Sequence, residues 1–145
     1  MAPQTSDMGG PEMAPQTPQA VAGRPPRSGP PDGSVLAVVK DLFFVARIRE
    51  TARLAGVPLT FARSLEEVET KLSVRPRFVL LDLTAGFDYE RLFRALAGAA
   101  VPVLAFTTHA LARQTQPWHG RCARVVTKET LTAELPTLLR EGVPA

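Results

Sequence analysis

A single cysteine in 145 residues, Cys122, has no partner for an internal disulfide and cannot build a cysteine-based zinc cage. No apolar run approaches the roughly 20 residues of a membrane span. The N-terminus lacks the basic-then-apolar order of a secretory signal, and its Pro-Gln-Thr composition is unlike a transit peptide. These absences lead to the expectation of a cytoplasmic chain with no membrane partner. Blocks of like charge are missing too. The net charge of +3 comes from 14 Arg and 3 Lys spread along the chain, so no specific nucleic-acid partner is expected.

What is present falls into two parts. Residues 1–33 hold 8 of the 14 prolines, 5 of the 10 glycines and all three methionines, with Val21 almost alone as a large aliphatic residue. Such a segment buries too little apolar surface to offset its ordering entropy, and it is expected to be a disordered Pro/Gly-rich tail. Met1–Thr5 recurs as Met13–Thr17, and Pro15 with Pro18 has the spacing of a minimal extended proline ligand. A biased linker and a partner-binding arm both fit that pattern. Residues 34–145 have the composition and length of one domain.

Within that domain, short apolar runs alternate with helical periodicity. Val35–Val39 is a continuous apolar run, as expected of a strand buried on both faces. Asp41 stands at an N-cap position, Val45, Ile48, Ala52 and Ala55 form a stripe, and Gly56 stops the helix. A second strand over Pro58–Ala62 precedes a capping box at Ser64 and Glu67. Phe78–Leu81 is the third strand and Asp82 closes it. A helix from about Asp88 to Ala97 carries the stripe Tyr89, Leu92, Phe93 and Leu96. Val101–Phe106 is the fourth strand, and a short helix over Thr108–Gln114 is expected to end before Pro117. Arg124–Val126 is the fifth strand and Leu131–Arg140 the last helix, weakened by Pro136. Five β–α units of this kind predict a parallel sheet with helices on both faces and right-handed crossovers.

In an open α/β sheet, ligands sit at the carboxyl ends of the strands, where strand order reverses. With strand order 2-1-3-4-5, that end carries Lys40 and Asp41 after strand one, Asp82 after strand three, Thr107 and Thr108 after strand four, and Thr127 and Lys128 after strand five. Caps favour Asp and Thr in any strand-to-helix turn. Asp82 is harder to read as a cap, because no helix starts directly after it. His109, His119 and Cys122 match no zinc spacing. Phe43 and Phe44 are sequence neighbours on a helix, so one of them is expected to be exposed.

On these motifs, residues 35–141 resemble the receiver domain of two-component response regulators. Val38-Val39-Lys40-Asp41 resembles the first acidic motif with Lys40 in place of its leading acid. Val79-Leu80-Leu81-Asp82 resembles the phospho-acceptor strand, Leu104-Ala105-Phe106-Thr107 the strand ending in Ser or Thr, and Val125-Val126-Thr127-Lys128 the lysine motif displaced by one residue. No Met-Pro step follows Asp82, no proline follows Lys128, and Arg124 stands where the family often carries Tyr or Phe. The resemblance is to a degenerate receiver.

It implies a flavodoxin-like (CheY-like) three-layer α/β sandwich and a non-enzymatic, stand-alone module of phosphorelay signalling that acts by protein–protein contact. The implied partner is a histidine kinase or a downstream signalling protein, and a homodimer through the last helices is compatible with the family. The implied site consists of Asp82 as phospho-acceptor, with Thr107 and Lys128, and a Mg²⁺ site from Asp41 and Asp82 weakened by the loss of the leading acid. Lys40 there would compete with the cation, or else point away along the strand surface. The alternative is a small flavodoxin-like enzyme or ligand-binding protein unrelated to phosphorelay. Against it, the loop Lys40-Asp41-Leu42-Phe43-Phe44 has no glycine and no phosphate cradle.

Overall fold

Each predicted strand is a short, mostly apolar run whose side chains alternate between two faces. The computed structural model describes residues 33–142. The tail expected over 1–33 lies, apart from Gly33, outside the described residues, as do residues 143–145. The strands are β1 (Val35–Val38), β2 (Leu59–Ala62), β3 (Phe78–Asp82), β4 (Val103–Thr107) and β5 (Arg124–Thr127). They form one parallel sheet of order β2-β1-β3-β4-β5, the predicted 2-1-3-4-5. The helices are α1 (Leu42–Ala55), α2 (Leu65–Lys71) with a 3-10 turn over Leu72–Val74, α3 (Tyr89–Ala99), α4 (Ala112–His119) and α5 (Lys128–Glu141).

Two cores flank the sheet. On one face Val35, Ala37, Phe78, Leu80, Leu104 and Phe106 meet Phe44, Val45, Ile48 and Ala52 of α1 and Leu131, Leu135, Leu138 and Leu139 of α5. On the other, Leu36, Val38, Val79, Leu81, Val103 and Ala105 meet Val68 of α2 and Leu92, Phe93 and Leu96 of α3. This is why the central strands read as unbroken apolar runs: both faces are covered.

The caps follow the sequence closely. Asp41 Oδ1 accepts from the Phe43 and Phe44 amides at 3.0 and 3.3 Å, and Gly56 closes α1 at φ 72°. Ser64 Oγ accepts from the Glu67 amide at 3.2 Å; the returning arm of the box goes to the Arg63 amide, one residue earlier than the usual partner. Phe43 is exposed and Phe44 is buried.

Two helices, α4 and α5, have boundaries that differ from expectation. Helix α4 spans Ala112–His119 with Pro117 inside it, rather than Thr108–Gln114 ended by Pro117. Thr108 instead makes a turn, its hydroxyl accepting from the Leu111 amide at 3.2 Å. Past Pro117 the helix is anchored by Trp118, whose ring stacks on Phe93 at 5.8 Å. Helix α5 begins at Lys128, not Leu131, because Thr127 Oγ1 accepts from the Thr130 amide at 3.1 Å and caps it. Pro136 is then interior, with Leu131, Leu135, Leu138 and Leu139 pinned to the core around it.

Candidate functional site

All five strands run the same way, so their carboxyl ends share one edge of the sheet, and the helix caps that follow them bring polar groups there. The topological switch falls between β1 and β3. Asp41 follows β1, Asp82 ends β3, Thr107 ends β4, and Lys128 opens α5 directly after β5. Thr107 and Thr127 are the last residues of their strands and lie opposite each other in register.

Asp82 is buried at 8% exposure. Its Oδ1 accepts from both the amide and the hydroxyl of Thr84, at 2.7 and 2.6 Å. This turn fixes the carboxylate and commits one oxygen to its own loop. The same loop is clamped a second time. The Tyr89 hydroxyl donates to the Asp82 carbonyl oxygen at 2.7 Å and accepts from the Ala85 amide at 3.0 Å. Burial foremost, with the Asp82 charge adding to it against the Ala85 amide, raises the Tyr89 phenol above its ordinary value and keeps it a donor.

Asp41 is engaged elsewhere. Beyond its capping role, its Oδ2 lies 3.6 Å from Lys128 Nζ, which also sits 4.7 Å over the Phe44 ring. The Phe44 amide above all, then the Phe43 amide and the Lys128 ammonium, hold its carboxyl below the usual range against an opposing desolvation. Thr107 is buried at 3% exposure, and its Oγ1 lies 3.0 Å from Thr115 Oγ1 on α4. Lys40 is exposed and places its ammonium 4.5 Å over the Phe87 ring. Among the described residues no hydrogen bond or ion pair joins Asp82 to Asp41, Thr107, Lys128 or Lys40. The four expected residues share one end of the sheet, each held by a different neighbour.

A divalent cation needs several free oxygen ligands. Here Asp41 spends Oδ1 on two amides and faces Lys128 with Oδ2, Asp82 spends Oδ1 on Thr84, and the third acid's place is Lys40. No group of three His, Cys, Asp or Glu side chains among the described residues is arranged to hold a metal. The donor set as it stands does not fit Mg²⁺.

Sequence reasoning missed Thr84, Tyr89 and Thr115 as site residues. The Tyr89 hydroxyl had a signal: a phenol in a buried stripe needs a partner. His109 pairs with Glu129 at 3.5 Å, His119 meets Thr115, and Cys122 donates to the Trp118 carbonyl oxygen, so these three are in separate places. Burial pushes the Cys122 thiol up to about 11. Its alkylation by iodoacetamide at pH 8 should therefore run roughly two orders of magnitude slower than that of an unshifted thiol. Mass spectrometry of timed samples checks this; a rate matching free glutathione contradicts it.

No helix among the described residues is long and apolar enough to cross a membrane. The chain matches no protein-family model and no curated protein. Solved structures do resemble it. The receiver domain of a sensor histidine kinase from Pseudomonas aeruginosa, with a magnesium ion coordinated in its active-site cleft, superposes with a TM-score of 0.62 at 21% identity, over 74% of this chain and 94% of that one. A response regulator receiver protein from Burkholderia phymatum gives 0.61 at 24% identity, over 78% and 98%. A de novo designed Rossmann 2x3 fold protein gives 0.58 at 13% identity, over 77% and 92%. The described residues have the receiver fold.

Proposed function

We propose that this chain is a degenerate receiver-like signalling module, cytoplasmic and non-enzymatic, that acts through contact with a protein partner, a histidine kinase or a downstream signalling protein. Asp82 is its phosphoryl acceptor. The observation that carries the reading is the way Asp82 is held: a buried carboxylate at the end of the central strand, oriented by Thr84 through Oδ1, with Oδ2 making no protein hydrogen bond among the described residues. Oδ2 is then the attacking oxygen. It forms the new P–O bond while the bond to the donor's leaving group breaks and that group keeps the electron pair. Thr107 and Lys128, at the same end of the sheet, are the hydroxyl and the ammonium available to the phosphoryl oxygens.

Degeneracy has a physical meaning in this site. Phosphoryl transfer depends on neutralising charge at the transferred group. The cation nearest an acid here, Lys128, is already paired to Asp41. Freeing it breaks an ion pair whose members are both over a third exposed, which costs little.

Amide NMR spectra with and without beryllofluoride, each with and without Mg²⁺, test the proposal on wild type and Asp82→Asn. Beryllofluoride stands in for a phosphoryl group on an aspartate. Shifts centred on Asp82, Thr84 and Thr107 are expected in wild type and none in the variant. Wild-type spectra unchanged at millimolar beryllofluoride would remove Asp82 from the role.

A further inference from the structure

Thr115 Oγ1 touches three polar atoms: Thr107 Oγ1 at 3.0 Å, His119 Nε2 at 2.8 Å and the Ala112 carbonyl oxygen at 3.2 Å. Thr107 and Thr115 are both buried, at 3% and 5% exposure. Thr107 Oγ1 has no other protein partner among the described residues. A hydroxyl has one proton to give. That count makes the chain Thr107–Thr115–His119 directional.

A neutral imidazole accepts at Nε2 only in the tautomer that carries its proton on Nδ1; in that tautomer Thr115 gives its proton to His119. Thr115 can then only accept from Thr107, and the Thr107 proton is spent pointing into α4. When the imidazole is protonated, Nε2 donates. Thr115 accepts from it and turns its own proton to Thr107 or to the Ala112 carbonyl. Thr107 is released from donating, and its proton is free to turn toward the strand end.

We propose that Thr115 and His119 are positioning residues for Thr107: the imidazole sets whether the Thr107 hydroxyl donates into α4 or is free to turn toward Asp82. The inference rests on the reading of Asp82 and Thr107 given above and adds to it a control that the sheet edge does not contain. The groups around α4 do not compete for His119. Tyr89 comes from α3 with its hydroxyl committed to the Asp82 loop, and Glu90 of α3 is paired with Arg121 at 3.3 Å. Cys122 donates to the Trp118 carbonyl oxygen, His109 before α4 is paired with Glu129, and Arg113 on α4 is exposed. Among the described residues no ion pair includes His119.

The test follows the Thr107 methyl carbon and the His119 ring by NMR across the imidazole titration. In wild type the Thr107 signal is expected to shift with the same midpoint as His119. In Thr115→Val the ring still titrates but Thr107 no longer follows it. In His119→Gln, whose amide can donate to Thr115 at every pH, Thr107 stays at its low-pH position. A Thr107 signal that ignores the His119 titration in wild type, or still follows it in Thr115→Val, overturns the proposal. So does a Thr107 signal that still titrates in His119→Gln.

The link to Asp82 is read separately, as the ratio of beryllofluoride affinities below and above the His119 midpoint. A several-fold larger ratio in wild type than in Thr115→Val supports the coupling, and equal ratios overturn it. If wild type binds no beryllofluoride while Thr107 still follows His119, the reading of Asp82 fails and the hydroxyl chain stands.

Discussion

Replacing Phe106 with alanine is expected to destabilise the domain by about 3–5 kcal/mol, the range for a fully buried phenylalanine. Phe106 is 1% exposed, and its ring meets Phe44 edge-on at 5.3 Å. The effect reaches the site by two short paths. Phe44 carries the Lys128 ammonium on its ring, and the Phe106 carbonyl oxygen accepts from the Leu83 amide, directly after Asp82. Urea unfolding followed by circular dichroism measures the loss. Phe106→Leu, which keeps most of the volume, should cost less than half as much and remain measurable if the alanine variant does not fold. Equal costs for both would mean that the ring's shape, not its volume, holds this position.

The fold was legible wherever one residue type has one physical use. The apolar run Val35–Val39 read as a strand covered on both faces; all five residues are buried, and the strand spans Val35–Val38. Asp41, Ser64 and Gly56 sit where caps are needed and act as caps. Alternation pointed to a parallel sheet, its strand order was what the receiver resemblance implied, and the observed order places Asp82 on the central strand.

The α4 region was less legible, because the residues there have two uses each. Thr108 can start a helix or close a turn, and it closes a turn. Pro117 can end a helix or sit inside one anchored beyond it, and Trp118 supplies the anchor. Thr127 can end a strand and cap a helix at once, which moves the start of α5 forward by three residues to Lys128.

The candidate site divides the same way. Strand ends place Asp41, Asp82, Thr107 and Lys128 correctly along one edge, because the parallel sheet leaves no other arrangement. Which side chain meets which is a matter of rotamer and of one residue's offset. Displaced by one position, Lys128 opens a helix and reaches Asp41. Lys40 has an aromatic face within reach and lies on Phe87. Thr115 and His119 are four apart on a helix, an ordinary spacing that becomes informative only when Thr107 is found opposite them.

Tyr89→Phe should lower stability by about 1–3 kcal/mol, because it strands a buried acceptor and a loop donor at once. The ring remains, so its contacts with Phe87 at 6.0 Å and Trp118 at 5.8 Å are kept, and what is lost is the hydroxyl between the Asp82 carbonyl and the Ala85 amide. Urea unfolding monitored by Trp118 fluorescence gives the energy. Hydrogen exchange gives the location: the Ala85 amide should exchange faster in the variant while amides in β1 and β3 keep their protection relative to global stability. Uniform loss of protection would mean that Tyr89 supports the core and not the loop. Thr84 holds the same loop by the carboxylate and Tyr89 by the backbone. In Tyr89→Phe the carboxylate therefore keeps its turn while the strand end beneath it loosens. On the proposed reading of Asp82 as the acceptor, beryllofluoride should still bind this variant, but more weakly than wild type.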